Sequence, residues 1–297
     1  MKLLRYLKKG FTTEKLGIQL ENSVLDTSKL GEHLNLNVLQ TMNDFLNDSQ
    51  TATEQLHTVQ LKAKQLNLDS SQYTISLSDI HYLPPVKHPE KIISVGLNYV
   101  EHIKSIGGEV PTSPVFFGMF SNALAAHNQV IPLPAVAREV DYEAELVIII
   151  GKEINSVCEK LAADAILGYS IGNDLTERTL QYQTSQWMIG KSMDYFAPIG
   201  PVLVTKDEIE DVQNLKITTR RNGSVVQLGS TKDMLFSVVQ IVTEIAQYMT
   251  LKPGDVIFTG TPKGVISETD SDRDWLRPKD RIDITIEGIG TLSNTIA

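Results

Sequence analysis

Glu143 and Glu145 stand two residues apart at the entrance of the run Val140-Asp141-Tyr142-Glu143-Ala144-Glu145-Leu146-Val147-Ile148-Ile149-Ile150-Gly151. The run is β-branched, apolar and closed by glycine, the composition of a strand. Its unbroken apolar end reads as buried on both faces. Residues i and i+2 of a strand share a face, roughly 6.5–7 Å apart. The two carboxylates therefore aim at one spot near a core, where like charges need a cation or a shared proton. A second apolar stretch, Gly168-Tyr169-Ser170-Ile171-Gly172-Asn173-Asp174, also ends in acid. If Asp174 joins the glutamates, the chain holds a three-carboxylate oxygen site, which suits Mg²⁺ or Mn²⁺ rather than Zn²⁺. The alternative is that the acids are solvated flanks of a strand and Asp174 caps the segment after it. Spacing alone leaves both open.

Other polar residues sit near the ends of apolar stretches. Lys191 lies in the otherwise apolar context Trp187 to Phe196, where it attracts an anionic substrate or snorkels to the surface. Thr261, in Thr259-Gly260-Thr261-Pro262, offers a hydroxyl to a carboxylate or belongs to an ordinary turn. Arg178 follows Asp174 by four residues and either pairs with it or binds substrate. His102 follows a strand end and precedes the Gly107-Gly108 hinge, which makes it a candidate base; a structural histidine is the alternative.

Several chemistries are excluded. Gly190-Lys191-Ser192 resembles the end of a P-loop, but Ser185 stands where the first glycine is needed. The sequence has no dinucleotide-binding G-x-G-x-x-G between a strand and a helix, no G-x-S-x-G and no H-E-x-x-H. Cys158 is the single cysteine, which excludes an internal disulfide framework and a cysteine-based zinc site, and fits a reducing cytoplasm. The net charge of −9 shows no basic stripe for nucleic acid. The basic start, Met1 to Lys9, lacks the apolar core of a signal peptide. No apolar run approaches the roughly 20 residues of a membrane span. With 297 residues and 41% hydrophobic residues, the chain suffices for one large globular domain or two.

The elements that must position these residues follow from periodicity. Residues 2–7 and 17–25 read as strands, the second interrupted at Glu21-Asn22. Val38, Leu39, Met42, Phe45 and Leu46 recur at helical spacing, as do Ala52, Leu56, Val59, Ala63 and Leu66; both sets read as core-packing faces. Leu83-Pro84-Pro85-Val86-Lys87-His88-Pro89 is a stiff connector, placing a boundary between a small α+β region, 1–85, and a larger one, 90–297. The larger region is strand-rich: 91–96, 114–117, 140–150, 198–204, 256–258 and 281–287. Helices are expected over 159–167 and after a Ser237 cap, and Asn222-Gly223 is a type I′ hairpin signal. The sum is an α+β, β-rich chain built on a barrel or sandwich rather than a doubly wound sheet.

From about residue 90 to the end, these pieces resemble the fumarylacetoacetate hydrolase family. The resemblance is carried by Gly96-Leu97-Asn98-Tyr99 with His102, Asp141-Tyr142-Glu143-Ala144-Glu145-Leu146, Gly168-Tyr169 with Asn173-Asp174, Gly190-Lys191-Ser192, Asn222-Gly223, and Leu251 to Pro262. The N-terminal region is similar to the small variable domain of some bacterial members. The resemblance implies a mixed β-sheet roll around Mg²⁺ or Mn²⁺, with Glu143, Glu145 and Asp174 as ligands. It implies Lys191 beside the metal, Thr261 on the substrate carboxylate, Arg178 and Gln181 lining the pocket, and a homodimer.

The implied substrates are 2-oxo acids that chelate the metal, which acts as a Lewis acid. The reading is hydrolysis of a C–C bond in acylpyruvate-like acids. Oxaloacetate-type decarboxylation is the alternative, then isomerisation of hydroxymuconate-type diacids; outside catalysis, a metal-binding scaffold remains. Hydrolytic members activate water with a histidine–glutamate pair on a lid. His102 fits the histidine, but Ser105 stands where the glutamate belongs, with Glu101 and Glu109 as surrogates. Met119 stands where many members have lysine, which predicts an altered substrate preference. The two departures leave decarboxylation open.

Overall fold

The computed structural model describes residues 1–65, 72–269 and 272–297. Among them, twelve strands form one mixed sheet. Its centre is the strand Ala144–Ile150, every residue of which is buried. On one side it pairs antiparallel with Ile166–Asn173, and on the other with Val256–Phe258. Val256–Phe258 in turn pairs parallel with Ile92–Gly96, which pairs antiparallel with Val115–Met119. Such a strand has a core on each face. Leu146, Ile148 and Ile150 enter one hydrophobic cluster, whereas Val147 and Ile149 enter another. Strand parity puts Glu145 on the side of Val147, and Glu143 with it. Opposite Glu145 the register places Gly172. A Cβ there would meet the Phe258 ring at 2.3 Å, so a side chain would force apart the two strands that flank the acids.

Lys2–Lys8 pairs with Ala197–Thr205, so the sheet crosses the proline-rich connector and continues through Glu14–Gln19, Ser23–Asp26 and Thr74–Ser76. A second, five-stranded sheet contains Ser224–Ser230, Lys216–Arg221, Arg281–Ile286, Gly290–Ile296 and Val130–Ile131. The expected hairpin is its outer pair, with Asn222 and Gly223 at φ 52° and 85°, the left-handed pair such a turn requires. The helix Val238–Tyr248 begins with a complete capping box between Ser237 and Gln240.

Some expected elements differ. The first expected helix is confined to Met42–Asn47, because the Thr41 hydroxyl accepts from the Asp44 N–H and starts the helix there, leaving Val38 and Leu39 outside. The second spans Ser49–Gln65; Leu66 lies outside the described residues. The helix Thr27–His33 was not expected, since Leu30 is its one apolar anchor; Asp26 caps it. The strand Gly290–Ile296 was also missed, because its polar residues mask the alternation. Ser293 and Asn294 are buried there with their side chains bonded to Asp283 and to the carbonyls of Ala126 and Gln129. Among the described residues no helix is long and apolar enough to cross a membrane.

The junction of the two sheets carries a testable charge effect. His127 Nδ1 accepts the Ser293 N–H at 3.1 Å, and its ring meets Tyr82 edge-on. Burial, aided by Arg281, pulls its pKa down to about 4. The folded value lies below the unfolded one of roughly 6.5. His127 therefore contributes stability present above pH 6.5 and lost as pH falls toward 4. Between pH 7 and pH 5 the loss is about 2 kcal/mol. Urea unfolding at the two pH values should show it in the native protein and not in a His127→Gln variant.

Candidate active site

The strand register delivers three acids to one point. Glu143, Glu145 and Asp174 each offer an oxygen within 4.8 Å of the others, the one such group among the described residues. Local hydrogen bonds fix the approach: the Asp174 N–H donates to the Glu143 carbonyl, and the Glu143 N–H to the Asn173 side chain, both at 3.0 Å. The Gly260 N–H donates to Glu145 Oε2 at 2.6 Å.

Two cations enter this cluster. Lys191, 2% exposed at the end of the short helix Met188–Lys191, donates to Glu143 Oε2 at 2.7 Å and Asp174 Oδ2 at 2.9 Å. Its ammonium also lies 5.4 Å from the Phe117 ring centroid. Arg178 meets Glu143 Oε1 at 2.8 Å, Asp141 Oδ2 through Nε and Nη2, and Gln181 Oε1 at 3.0 Å. Burial opposes ionisation of Glu143, but Lys191 and Arg178 outweigh it and hold that carboxyl below its ordinary range. Burial and the neighbouring charges of Asp174 and Glu143 push Glu145 well up. Burial raises Asp174 as well, with Lys191 opposing and Glu143 adding to the shift. Burial works against the Lys191 ammonium, yet Asp174 and Glu143 outweigh it, so Lys191 stays charged.

The donor set therefore fits a hard divalent cation. Three carboxylates face two fixed cations. Among the described residues Asp174 Oδ1 is buried without a hydrogen-bond partner. An orphaned carboxylate oxygen in a buried anionic cluster is the electrostatic demand that Mg²⁺ or Mn²⁺ meets.

His102 lies on the helix Val100–Ser105. That helix follows Leu97, held at φ 57°, and Asn98, whose side chain bonds the Thr259 and Phe236 carbonyls. His102 Nδ1 meets Glu268 Oε1 at 2.5 Å, and Glu268 Oε2 accepts the Gly264 N–H at 2.6 Å. The carboxylate partner of the histidine is thus supplied from 166 residues away. Neither surrogate expected from the sequence plays this part: Glu101 pairs with Lys104 on the exposed helix face, and Glu109 is exposed. The Ser105 hydroxyl donates to the His102 carbonyl at 2.7 Å, satisfying its own helix rather than the imidazole. Met119 packs into the hydrophobic core and is not among the residues lining the cavity.

His102, Glu143, Glu145, Asp174, Arg178, Gln181, Lys191 and Thr261 all line one cavity of about 150 Å³. Phe117, Trp187 and Ile106 add apolar surface to its lining. Sequence reasoning missed Gln227. Its Nε2 donates to Thr261 Oγ1 at 2.9 Å while its Oε1 takes the Thr219 hydroxyl and the Ala144 N–H. Thr261 Oγ1 is thereby used as an acceptor, while its own proton has only a long contact, 3.5 Å, to the Pro262 carbonyl.

Residues 91–297 match the model of the fumarylacetoacetate (FAA) hydrolase C-terminal domain. The oxaloacetate tautomerase YisK of Bacillus subtilis is 40% identical over 238 residues, 79% of each chain. The mitochondrial oxaloacetate tautomerase fahd2 of Xenopus laevis is 33% identical over 300 residues, covering 100% of this chain and 90% of that one. The maleylpyruvate hydrolase of Sphingobium sp. SYK-6, solved with manganese(II) and pyruvate, superposes with a TM-score of 0.77 at 27% identity, over 100% of this chain and 99% of that one. With its strand-rich α+β fold and its buried acidic triad, the chain belongs to the fumarylacetoacetate hydrolase family.

Proposed function

We propose that this protein is a divalent-metal-dependent enzyme that moves a proton between C3 and the 2-oxo oxygen of a short 2-oxo diacid of the oxaloacetate type. The observation that carries the reading is the convergence of a carboxylate cage and a His–Glu pair on one small cavity. At about 150 Å³ it lies below the roughly 300 Å³ where drug-sized pockets begin. A four-carbon acid suits that space better than a long acylpyruvate. The names of the Bacillus and Xenopus relatives agree with it.

Glu143, Glu145 and Asp174 would hold Mg²⁺ or Mn²⁺, which when bound supplies positive charge beside the 2-oxo oxygen. The Thr261 hydroxyl, oriented by Gln227, donates to the substrate carboxylate. Lys191 adds a fixed positive charge where the oxygen becomes negative. His102 Nε2 takes the C3 proton. The C3–H electron pair becomes the C2=C3 double bond, and the carbonyl pair moves onto oxygen. The same imidazolium returns the proton to that oxygen, so atoms and charge balance. Glu268 holds Nδ1, orients the ring and supports its transient charge.

The His102–Glu268 pair also favours a second reading, hydrolysis of a C–C bond in a short acylpyruvate, because the same base serves to activate water. Enol-oxaloacetate and acetylpyruvate, each followed with Mg²⁺, Mn²⁺ and chelator, separate the two. Metal-dependent loss of the enol without pyruvate release supports the tautomerase. Pyruvate from acetylpyruvate supports the hydrolase, and pyruvate from oxaloacetate would make it a decarboxylase.

Cavity size gives a further expectation. Trp187 closes the apolar wall, packed edge-on against Phe117 and over Gly96, where a Cβ would meet its ring at 2.3 Å. Trp187→Leu should raise kcat/KM for longer acylpyruvates relative to oxaloacetate by about tenfold or more, as removal of apolar bulk does in other pockets. An unchanged ratio in a side-by-side assay would show that the wall does not set substrate length.

A further inference from the structure

We infer that Asp141 is a positioning residue for the His102–Glu268 pair, acting on it through the turn that carries Glu268. The inference rests on the proton-transfer reading and adds a residue to it. Asp141 is fully buried in the short strand Val140–Asp141. Its carboxylate accepts five donors. Oδ1 takes the N–H of Tyr142 at 2.9 Å and of Ile266 at 2.8 Å. Oδ2 takes the N–H of Ser267 at 3.0 Å, and Arg178 Nε and Nη2 at 2.9 and 2.8 Å.

Ile266 and Ser267 open the single turn Ile266–Glu268, whose first N–H groups need acceptors. The residue before it, Val265, has no side chain to supply one, and none caps it. The acceptor comes instead from Asp141, 125 residues earlier. The same carboxylate grips Arg178, which reaches Glu143 Oε1 at 2.8 Å. One buried group thus clamps the turn bearing Glu268 to the arginine seated on a metal-cage acid. The His102 ring is held by Glu268, and a shift of about 1 Å in such a pair costs on the order of 10²-fold in rate.

The test uses the full chain loaded with Mn²⁺. Asp141→Asn keeps the volume but leaves one acceptor oxygen where two were used, with an amide N–H facing N–H donors. Expected are a fall in kcat of about 10²-fold with KM little changed and Mn²⁺ affinity reduced by less than that factor, because Arg178 keeps its own contact to Glu143. Amide hydrogen exchange over 264–268 should quicken. Introduced into a Glu268→Gln background, Asp141→Asn should cost no more than about a further twofold, because both changes remove one function. Multiplicative losses would overturn the assignment, as would an unchanged kcat. Loss of Mn²⁺ binding, from misfolding or from collapse of the cage, would also overturn it, since Asp141 then supports the whole site. The exchange measurement needs no substrate. A failure of the oxaloacetate reading would therefore show in the unaltered enzyme, and the kinetic cycle would run on whichever acid it turns over.

Discussion

Glu268→Gln should lower kcat by about 10²- to 10⁴-fold, the range for losing a general base or the group that orients it. The change is isosteric, so the cavity keeps its shape. The amide can donate to Nδ1, which favours the tautomer with Nε2 protonated and unable to accept from C3. It also withdraws the charge that stabilises the imidazolium. Glu268 is not among the cage acids, so calorimetric Mn²⁺ affinity should not change. Steady-state kinetics with titrated metal checks both halves. A Glu268→Gln enzyme with full kcat would remove the His–Glu pair from the mechanism. Ser105→Glu, which would restore the glutamate three residues after the histidine, should give no gain, because Nδ1 already has its carboxylate.

The second large effect concerns the cage. Asp174→Asn should weaken Mn²⁺ binding by more than about 10²-fold, above the loss typical of groups behind the ligands, and take turnover to background. It should act in the opposite sense on the metal-free protein. Burial and Glu143 push Asp174 toward its neutral form, so the native charge is costly without an ion. A neutral amide relieves that repulsion, and Lys191 keeps its ion pair with Glu143. Thermal unfolding in chelator should therefore show a melting temperature equal to or above that of the native sequence. The metal-dependent stabilisation, about 2.7 kcal/mol at one hundred times Kd, should be absent. If Mn²⁺ still raises the melting temperature fully, Asp174 is not a ligand.

The cage was the part of the site most legible in the sequence, because strand parity alone sends Glu143 and Glu145 to one face and a second apolar run ends in Asp174. The hairpin at Asn222-Gly223 and the Ser237 cap were legible for the same reason: each is specified within a few residues. Glu268 was not, since its partnership with His102 is made by folding the chain over the cavity, and no periodicity links positions so far apart. Gln227 sat unnoticed in the hairpin strand Ser224–Ser230, because its partners Thr219, Thr261 and Ala144 come from other parts of the chain. Asp141 was visible inside the acidic motif, yet nothing local shows that its carboxylate caps a turn near the other end of the chain. The structural parts of Ser105 and Met119 were hidden in a shared way. Each was weighed by its place in a pattern, whereas the structure gives the first a helix carbonyl and the second a core.

The pairing of Lys2–Lys8 with Ala197–Thr205 has a consequence for biosynthesis. Leu3 meets Leu203, so the strand finds this partner only after some two hundred further residues have been joined. At a translation rate of about 5–20 residues per second, that is a delay on the order of 10–40 seconds. Through that interval only the nearby strands Glu14–Gln19 and Ile80–Leu83 can cover it. Ile80–Leu83 takes the edge from Arg5 to Lys8, so only Lys2 and Leu3 wait, and such a short open edge is a site for pairing with other chains. Lys2, on that short length, is the kind of charge that discourages such pairing while the nascent chain waits.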